Sequence, residues 1–138
     1  MAYRDIFDGL APAERVALLD LARSLSFEPD ELIIAQDQDN PHIYVVRAGE
    51  VKVTLRDDGG KELEVARLGI GSIFGEMAFV TGDVASANVV AVDEVEVLCV
   101  GHGHVSQMVA EDPGFAGRFY RSLATVLAER LRDTSQRL

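Results

Sequence analysis

The middle of the chain, from about residue 30 to residue 100, constrains the fold most, because its apolar residues recur with a period of two. The clearest case is 51–56, where apolar and polar residues alternate as in a strand with one buried face. Other short strands are predicted at 31–34, 43–47, 62–65, 87–92 and 95–100. Short strands at this turn-rich spacing predict a closed or nearly closed β-barrel, such as a jelly roll.

Both ends of the chain have helical periodicity instead. Residues 9–23 are predicted to form a helix with Pro12 in its first position. After a short helix at 105–110, Asp112 and Pro113 begin a long amphipathic helix. The first helix has an apolar face of Leu18, Leu21, Ala22 and Leu25, and the long helix has a stripe of Phe115, Phe119, Leu123, Val126, Leu127, Leu131 and Thr134.

Length and composition limit the possible functions. A chain of 138 residues fits one domain, 1–138, with the barrel at about 30–100 and the C-terminal helices at about 104–138. A net charge of −10 argues against direct binding of nucleic acid. The sequence has no apolar run of membrane-spanning length and no signal-peptide core, which predicts a cytoplasmic protein. No arrangement of nucleophile and base is recognisable, so we expect no enzyme activity.

Residues 69–91 contain the features that suggest a binding site. Glycines at 69, 71 and 75 precede a short acidic and apolar segment at 76–79, and a turn at 81–83 follows. Glycines before a short helix let backbone N–H groups approach an anion closely. From spacing alone, a glycine-rich turn followed by one helical turn explains the same pattern.

Two parts of this segment resemble the phosphate-binding cassette of cyclic nucleotide-binding domains, as found in catabolite activators and protein kinase A regulatory subunits. They are Phe74-Gly-Glu-Met-Ala78 and Ala85-Ser-Ala-Asn-Val89, and Tyr44-Val-Val-Arg-Ala-Gly-Glu-Val51 resembles a second motif of that family. The resemblance implies a mostly β fold with flanking helices. The expected core is an eight-stranded jelly-roll barrel (a double-stranded β-helix) with an N-terminal helix, a cassette helix and a long C-terminal helix.

The resemblance also implies a role for each cassette residue toward cAMP or cGMP. Glu76 would accept a hydrogen bond from the ribose 2′-hydroxyl. Ser86 would donate to the phosphate, and Asn88 would contact the phosphate or the base, or else serve only as a polar residue within the sheet. The base would lie toward Val53, Leu63 and Val65, under the C-terminal helix. The complete set of implied ligand-binding residues is Phe74, Gly75, Glu76, Met77, Ala78, Ala85, Ser86 and Asn88.

The sequence departs from the family pattern at the position most important for charge. Ala85 replaces the arginine that clamps the cyclic phosphate, and Asp37 and Asn40 stand where glycines are usual. An arginine–phosphate pair makes two charge-assisted hydrogen bonds, so its loss should weaken binding by roughly two to three orders of magnitude. Other basic residues that could compensate are Arg67, Lys52 and Arg118.

Three functional hypotheses follow. The first is a regulatory domain that binds a cyclic nucleotide. The second is a degenerate domain of the same fold that acts through another protein, or through a second copy, by means of its C-terminal helix. The third is a cupin-like metal protein, suggested by His102 and His104 with His42 as the remaining histidine; metal sites need three or four converging ligands. The first two are favoured over the third.

Overall fold

A computed structural model describes residues 7–136, with side chains up to residue 133. The chain forms two compact units, one of residues 22–102 and one made from the segments before and after it. The strands are β1 (Arg23–Phe27), β2 (Leu32–Ile34), β3 (His42–Ala48), β4 (Val51–Arg56), β5 (Glu62–Leu68), β6 (Ile73–Phe74), β7 (Asn88–Ala91) and β8 (Val95–Gly101). The helices are α1 (Pro12–Leu21), α2 (Glu76–Thr81), α3 (His102–Glu111) and α4 (Gly114–Gln136).

The barrel unit consists of two antiparallel four-stranded sheets. Their strand orders are β1-β8-β3-β6 and β2-β7-β4-β5. Inward side chains from both sheets form one apolar cluster, as expected when the buried faces of two sheets pack together. The predicted eight-stranded jelly roll with flanking helices is therefore confirmed. Cluster members include Ile34, Tyr44, Val46, Val51, Phe74, Ala85, Val89, Val97 and Cys99.

The boundary between α1 and the barrel was predicted wrongly. The helix ends at Leu21, and residues 23–27 form β1, so the barrel begins earlier than residue 30. This segment alternates polar and apolar residues, and it pairs along its whole length with β8. Leu25, which was assigned to the apolar face of the helix, instead packs against the barrel cluster. A full antiparallel pairing outweighs the extra helical turn that residues 22–25 would add.

The helical unit is held together by polar contacts as well as apolar ones. Arg118 on α4 makes a forked ion pair with Glu14 on α1, at nitrogen–oxygen distances of 2.6–3.0 Å. The same guanidinium lies 2.8 Å from Asp112. The backbone N–H of Gly114 donates to the Asp112 carboxylate, which confirms Asp112 as the residue that caps α4.

The apolar stripe predicted for α4 divides into two. Phe115, Phe119, Leu123 and Val126 are buried, whereas Leu127 is half-buried and Leu131 is 68% exposed. Thr134 lies outside the residues whose side chains are described. Because a helix turns 100° per residue, residues 127 and 131 lie on a different face from 119 and 126. The long helix thus has one buried seam and a second, exposed one.

Candidate functional site

The cassette connects β6 to β7 and is anchored by Gly75. This glycine precedes α2 with φ = 81°, a conformation that side chains with a Cβ rarely adopt. A Cβ atom at this position would lie 2.6 Å from the carbonyl oxygen of His42 on β3. Gly75 therefore lets the start of α2 approach β3 closely. The first N–H groups of such a helix have no intrahelical partners and remain available to an acceptor.

Phe74 fixes the other side of this turn. Its ring stacks on Tyr44 with a centroid distance of 4.9 Å, and both rings are buried. The Tyr44 hydroxyl donates a hydrogen bond to Asn40 Oδ1 at 3.1 Å. Burial raises the pKa of that hydroxyl, so it remains a neutral donor at ordinary pH. Phe74 thus belongs to the frame of the site, and Asn40 is tied into the same frame.

Ala85, at the position of the missing arginine, is only 6% exposed and belongs to the barrel cluster. Its backbone makes two hydrogen bonds with the loop after β2. The N–H of Ala85 donates to the carbonyl of Gln38 at 2.9 Å, and its carbonyl accepts from Asp37 at 2.8 Å. Asp37 has φ = 68°. The loop therefore keeps a left-handed conformation at the position where the family pattern has glycine, with an aspartate in its place.

Asn88 is buried and has a structural partner. Its Oδ1 accepts a hydrogen bond from the backbone N–H of Gln36 at 2.8 Å. The Gln36 side chain in turn accepts from the N–H of Arg56 at 2.9 Å and donates to its carbonyl at 3.3 Å. These bonds join β7, the loop after β2 and the end of β4. Sequence reasoning missed Gln36, because a single amide in a polar loop has no distinguishing pattern.

The remaining cassette residues differ in exposure. Glu76 begins α2 and is half-buried, Met77 and Ser86 are exposed, and Ala78 is buried on the inner side of the helix. All of them lie on the single connection between β6 and β7. The exposed hydroxyl of Ser86 and the half-buried carboxylate of Glu76 are polar groups that can meet a ligand, whereas Ala78 serves packing and can offer only its backbone. Of the predicted base-facing wall, Leu63 and Val65 are exposed, whereas Val53 packs against the cluster.

Two of the three basic residues proposed to compensate for Ala85 are already paired with carboxylates, and the third points away from the barrel interior. Arg67 is paired with Glu50 and Glu64 at 3.2 and 3.1 Å. Arg118 is held in the helical unit by Glu14 and Asp112. Lys52 alternates with Val53, which packs inward, so Lys52 points away from the barrel interior.

The overall charge of the barrel also disfavours an anion. Residues 22–102 contain six basic and fifteen acidic side chains, so this unit has a formal charge of −9 out of −10 for the whole chain. A cyclic nucleotide would enter against this field and would depend on local donors.

Residues 7–136 contain neither a cluster of metal ligands nor a membrane-spanning helix. No three histidine, cysteine, aspartate or glutamate side chains of this range come together as metal ligands would. His102 begins α3, with its ring 5.1 Å from that of Phe79. None of the helices in the same range combines the length and the apolar character needed to span a membrane.

Comparison with known proteins identifies the family. A family model described as "Cyclic nucleotide-binding domain" matches residues 24–112. The chain is 31% identical over 96% of its length to the cyclic AMP receptor protein of Thermus thermophilus, and spans 60% of that protein. The crystal structure of the catabolite activator protein from this organism superposes with a TM-score of 0.78 at 30% identity, with 96% of this chain and 60% of that chain covered.

A third relative is the regulatory subunit of a cAMP-independent protein kinase A from Trypanosoma brucei. It was solved as a triple variant bound to cAMP in the A site, and one of the three substitutions replaces threonine with arginine. That structure has a TM-score of 0.69 and 30% identity, with 95% of this chain and 43% of that chain covered. The family match extends over most of the barrel and includes the cassette, and the chain therefore belongs to the cyclic nucleotide-binding domain family.

Proposed function

We propose that this chain is a non-catalytic regulatory domain whose output is a protein–protein interaction, and that it binds cAMP and cGMP only weakly. The observation that carries the proposal is Ala85. At the position where the family has the phosphate-clamping arginine, this chain has only the buried methyl group of Ala85. The backbone of Ala85 is already hydrogen-bonded to the loop after β2. Without the clamp, a micromolar affinity would become nearly millimolar.

One relative supports the nucleotide-binding origin of the domain, and another supports regulation that does not depend on cAMP. One is a cyclic AMP receptor protein, which is consistent with a nucleotide pocket in the ancestral domain. The other is a cAMP-independent regulatory subunit, seen with cAMP as a variant that includes a threonine-to-arginine change. A cAMP-independent regulatory subunit therefore has the same fold, and its variant bound to cAMP has an introduced arginine among three substitutions.

The alternative is a cyclic nucleotide sensor that contacts the phosphate differently. Ser86 favours it, because its exposed hydroxyl can donate to a phosphate oxygen. Glu76 favours it as well, because the resemblance assigns its carboxylate the role of accepting a hydrogen bond from the ribose 2′-hydroxyl. These groups recover only part of what a guanidinium fork contributes, since a single neutral hydrogen bond adds about 1 kcal/mol. We therefore favour the regulatory domain with weak nucleotide binding over the sensor hypothesis.

The interaction surface that we propose for the regulatory output is the exposed seam of α4. Tyr120, Ala124, Leu127 and Leu131 follow one another at intervals of four, three and four residues. This is the spacing by which two helices pack as a coiled coil. Tyr120, Ala124 and Leu131 are exposed, and Leu127 is half-buried. The best-matched partner for such a seam is the same seam on a second copy of the chain.

Ligand titration followed by thermal unfolding tests the proposal. A ligand that binds only the folded state raises Tm in proportion to the logarithm of its concentration above Kd. We expect cAMP, cGMP and cyclic dinucleotides to leave Tm unchanged at micromolar concentrations and to shift it little at millimolar concentrations. A clear rise in Tm at micromolar cAMP or cGMP would instead support the sensor.

A further inference from the structure

The hairpin formed by β4 and β5 carries an open cleft whose function the nucleotide site does not explain. The cleft encloses about 430 Å³ and is lined by Leu55, Arg56, Asp57, Lys61 and Leu63. Leu55 and Leu63 are direct cross-strand partners. They are 39% and 62% exposed, so the base of the cleft is an uncovered pair of leucines.

The cleft differs in charge from the rest of its unit. Neither Arg56 nor Lys61 makes a side-chain ion pair within the described part of the chain, whereas Arg67 on the same hairpin is fully paired. Asp57 Oδ1 accepts hydrogen bonds from the N–H groups of Gly59 and Lys61, at 3.0 and 2.9 Å. Two uncommitted cations beside a leucine pair therefore lie on a barrel with a charge of −9.

The backbone around the cleft is ordered from both sides. At the tip, the N–H of Gly60 donates to the carbonyl of Asp57, and the N–H of Asp57 donates to the carbonyl of Lys61. At the end of β4, the Gln36 side chain bonds both backbone groups of Arg56. A surface that is already held in shape loses little conformational freedom when a partner binds.

The shape and position of the cleft favour a peptide over a small molecule. All five lining residues come from one hairpin, and a pocket that encloses a small ligand needs walls on several sides. β5 is also the last strand of its sheet, so its outer edge has no strand partner among the described residues. An extended chain can add to such an edge through main-chain hydrogen bonds while alternate side chains enter adjacent pockets.

We infer that this cleft is a docking site for an extended segment of a partner protein in which apolar side chains alternate with carboxylates. Its apolar side chains pack on Leu55 and Leu63, and its carboxylates meet Arg56 and Lys61. The segment lies along the free edge of β5. The inference goes beyond the proposed function, because it holds whether or not a cyclic nucleotide binds. Leu63 is shared with the wall expected to face a base, whereas Leu55, Arg56 and Lys61 are not.

Fluorescence anisotropy with labelled synthetic peptides tests the inference. One peptide alternates leucine with glutamate, and a second of equal length alternates leucine with lysine. We expect the glutamate peptide to bind at least about tenfold more tightly, the equivalent of one charge-assisted hydrogen bond. The double variant Arg56→Glu/Lys61→Glu should lose at least about tenfold in affinity for the glutamate peptide. The matched control Lys52→Glu changes charge on the same strand outside the cleft, and should bind normally.

Several results would overturn the inference. They are no binding of the glutamate peptide, equal binding of the two peptides, and equal loss in the Lys52→Glu control. Displacement of the peptide by cAMP would assign the cleft to the nucleotide site. Loss of a wild-type dimer in the double variant, measured by sedimentation, would identify the occupant as a second copy. Thermal unfolding of each variant establishes that a loss of binding is not a loss of folding.

Discussion

Gly75 and Gly82 lie at the two ends of the cassette helix α2. Both have a left-handed backbone conformation, but the space around them differs. Both have positive φ, at 81° and 77°. A Cβ on Gly75 would lie 2.6 Å from a backbone carbonyl oxygen, whereas a Cβ on Gly82 would meet nothing within 4 Å. Gly82 is required by backbone conformation alone, and Gly75 by conformation and by space.

Replacing each glycine with alanine separates these two requirements. Gly82→Ala should lower the free energy of unfolding by about 1–2 kcal/mol, the cost of the left-handed conformation for a residue with a Cβ. Gly75→Ala should cost about 3 kcal/mol or more, because β3 must also move. Urea unfolding measures both values, with an unchanged m-value as the sign that the two states are comparable. Equal costs for the two variants would contradict the close approach of α2 to β3.

The surroundings and backbone conformation of single residues were the hardest part of the site to predict. Ala85 was recognised as a departure from the family pattern, but its burial in the cluster could not be seen from the sequence. Asp37 was noted as a missing glycine, and the structure shows that aspartate keeps the left-handed backbone there. Asp is among the few residues with a Cβ that tolerate this conformation, so the loop can adopt it at residue 37 without a glycine.

At the scale of elements, one carboxylate, Glu14, makes the polar contact between α1 and α4. Glu14 accepts a hydrogen bond from the N–H of Ala11 at the start of α1 and also receives the Arg118 fork. The hydrogen bonds from Arg118 are the main reason that the pKa of Glu14 lies below its ordinary value of 4.5. A carboxylate with a lowered folded pKa stabilises the protein above its unfolded pKa, and this stability is lost as pH falls through the folded value.

Glu14→Gln should therefore unfold at a lower Tm than wild type at neutral pH. The difference should shrink as pH falls below about 4.5 and disappear once the pH lies below the lowered folded pKa, where wild-type Glu14 is protonated too. Thermal unfolding across this range by circular dichroism gives the comparison. Glu111→Gln is the control, because Glu111 is exposed on α3 and makes no ion pair in the described residues. A Tm difference that stays constant with pH would contradict the role given to the ionised carboxylate.

Elements with strong periodicity were predicted well, whereas the short strand β1 was missed. The alternation in β4 and the turn after it gave the hairpin correctly, and α4 was found from its apolar stripe. Arg23 was assigned to the end of the helix and Leu25 to its apolar face, because the preceding residues are helical and the pairing of β1 with β8 is about 70 residues away in sequence. Pairing with a strand that is distant in sequence determines the secondary structure of such short segments, and the local sequence contains little sign of it.

For the whole molecule, the exposed seam of α4 predicts self-association. Leu131→Glu places a charge in that seam and should convert a dimer into a monomer in sedimentation experiments. Arg132→Glu alters the adjacent exposed residue outside the seam, so it should leave the assembly unchanged. A monomeric wild-type chain, or a Leu131→Glu variant that remains dimeric, would contradict the proposed use of this seam.

The central claim concerns the whole domain and rests on Ala85. Ala85→Arg restores the family's clamp. It should lower Tm without ligand, because a charged guanidinium group takes the place of a methyl group in an apolar cluster. Val84→Arg is the matched control, since it adds the same charge at an exposed neighbouring position.

Isothermal titration of the wild type and these two variants with cAMP and cGMP is the most direct test. Wild type and Val84→Arg should show no binding at micromolar concentration, whereas Ala85→Arg should bind at least one of the two nucleotides about a hundredfold more tightly. Micromolar binding by the wild type, or an Ala85→Arg variant that binds no better than wild type, would contradict the claim that the lost clamp sets the affinity of this domain.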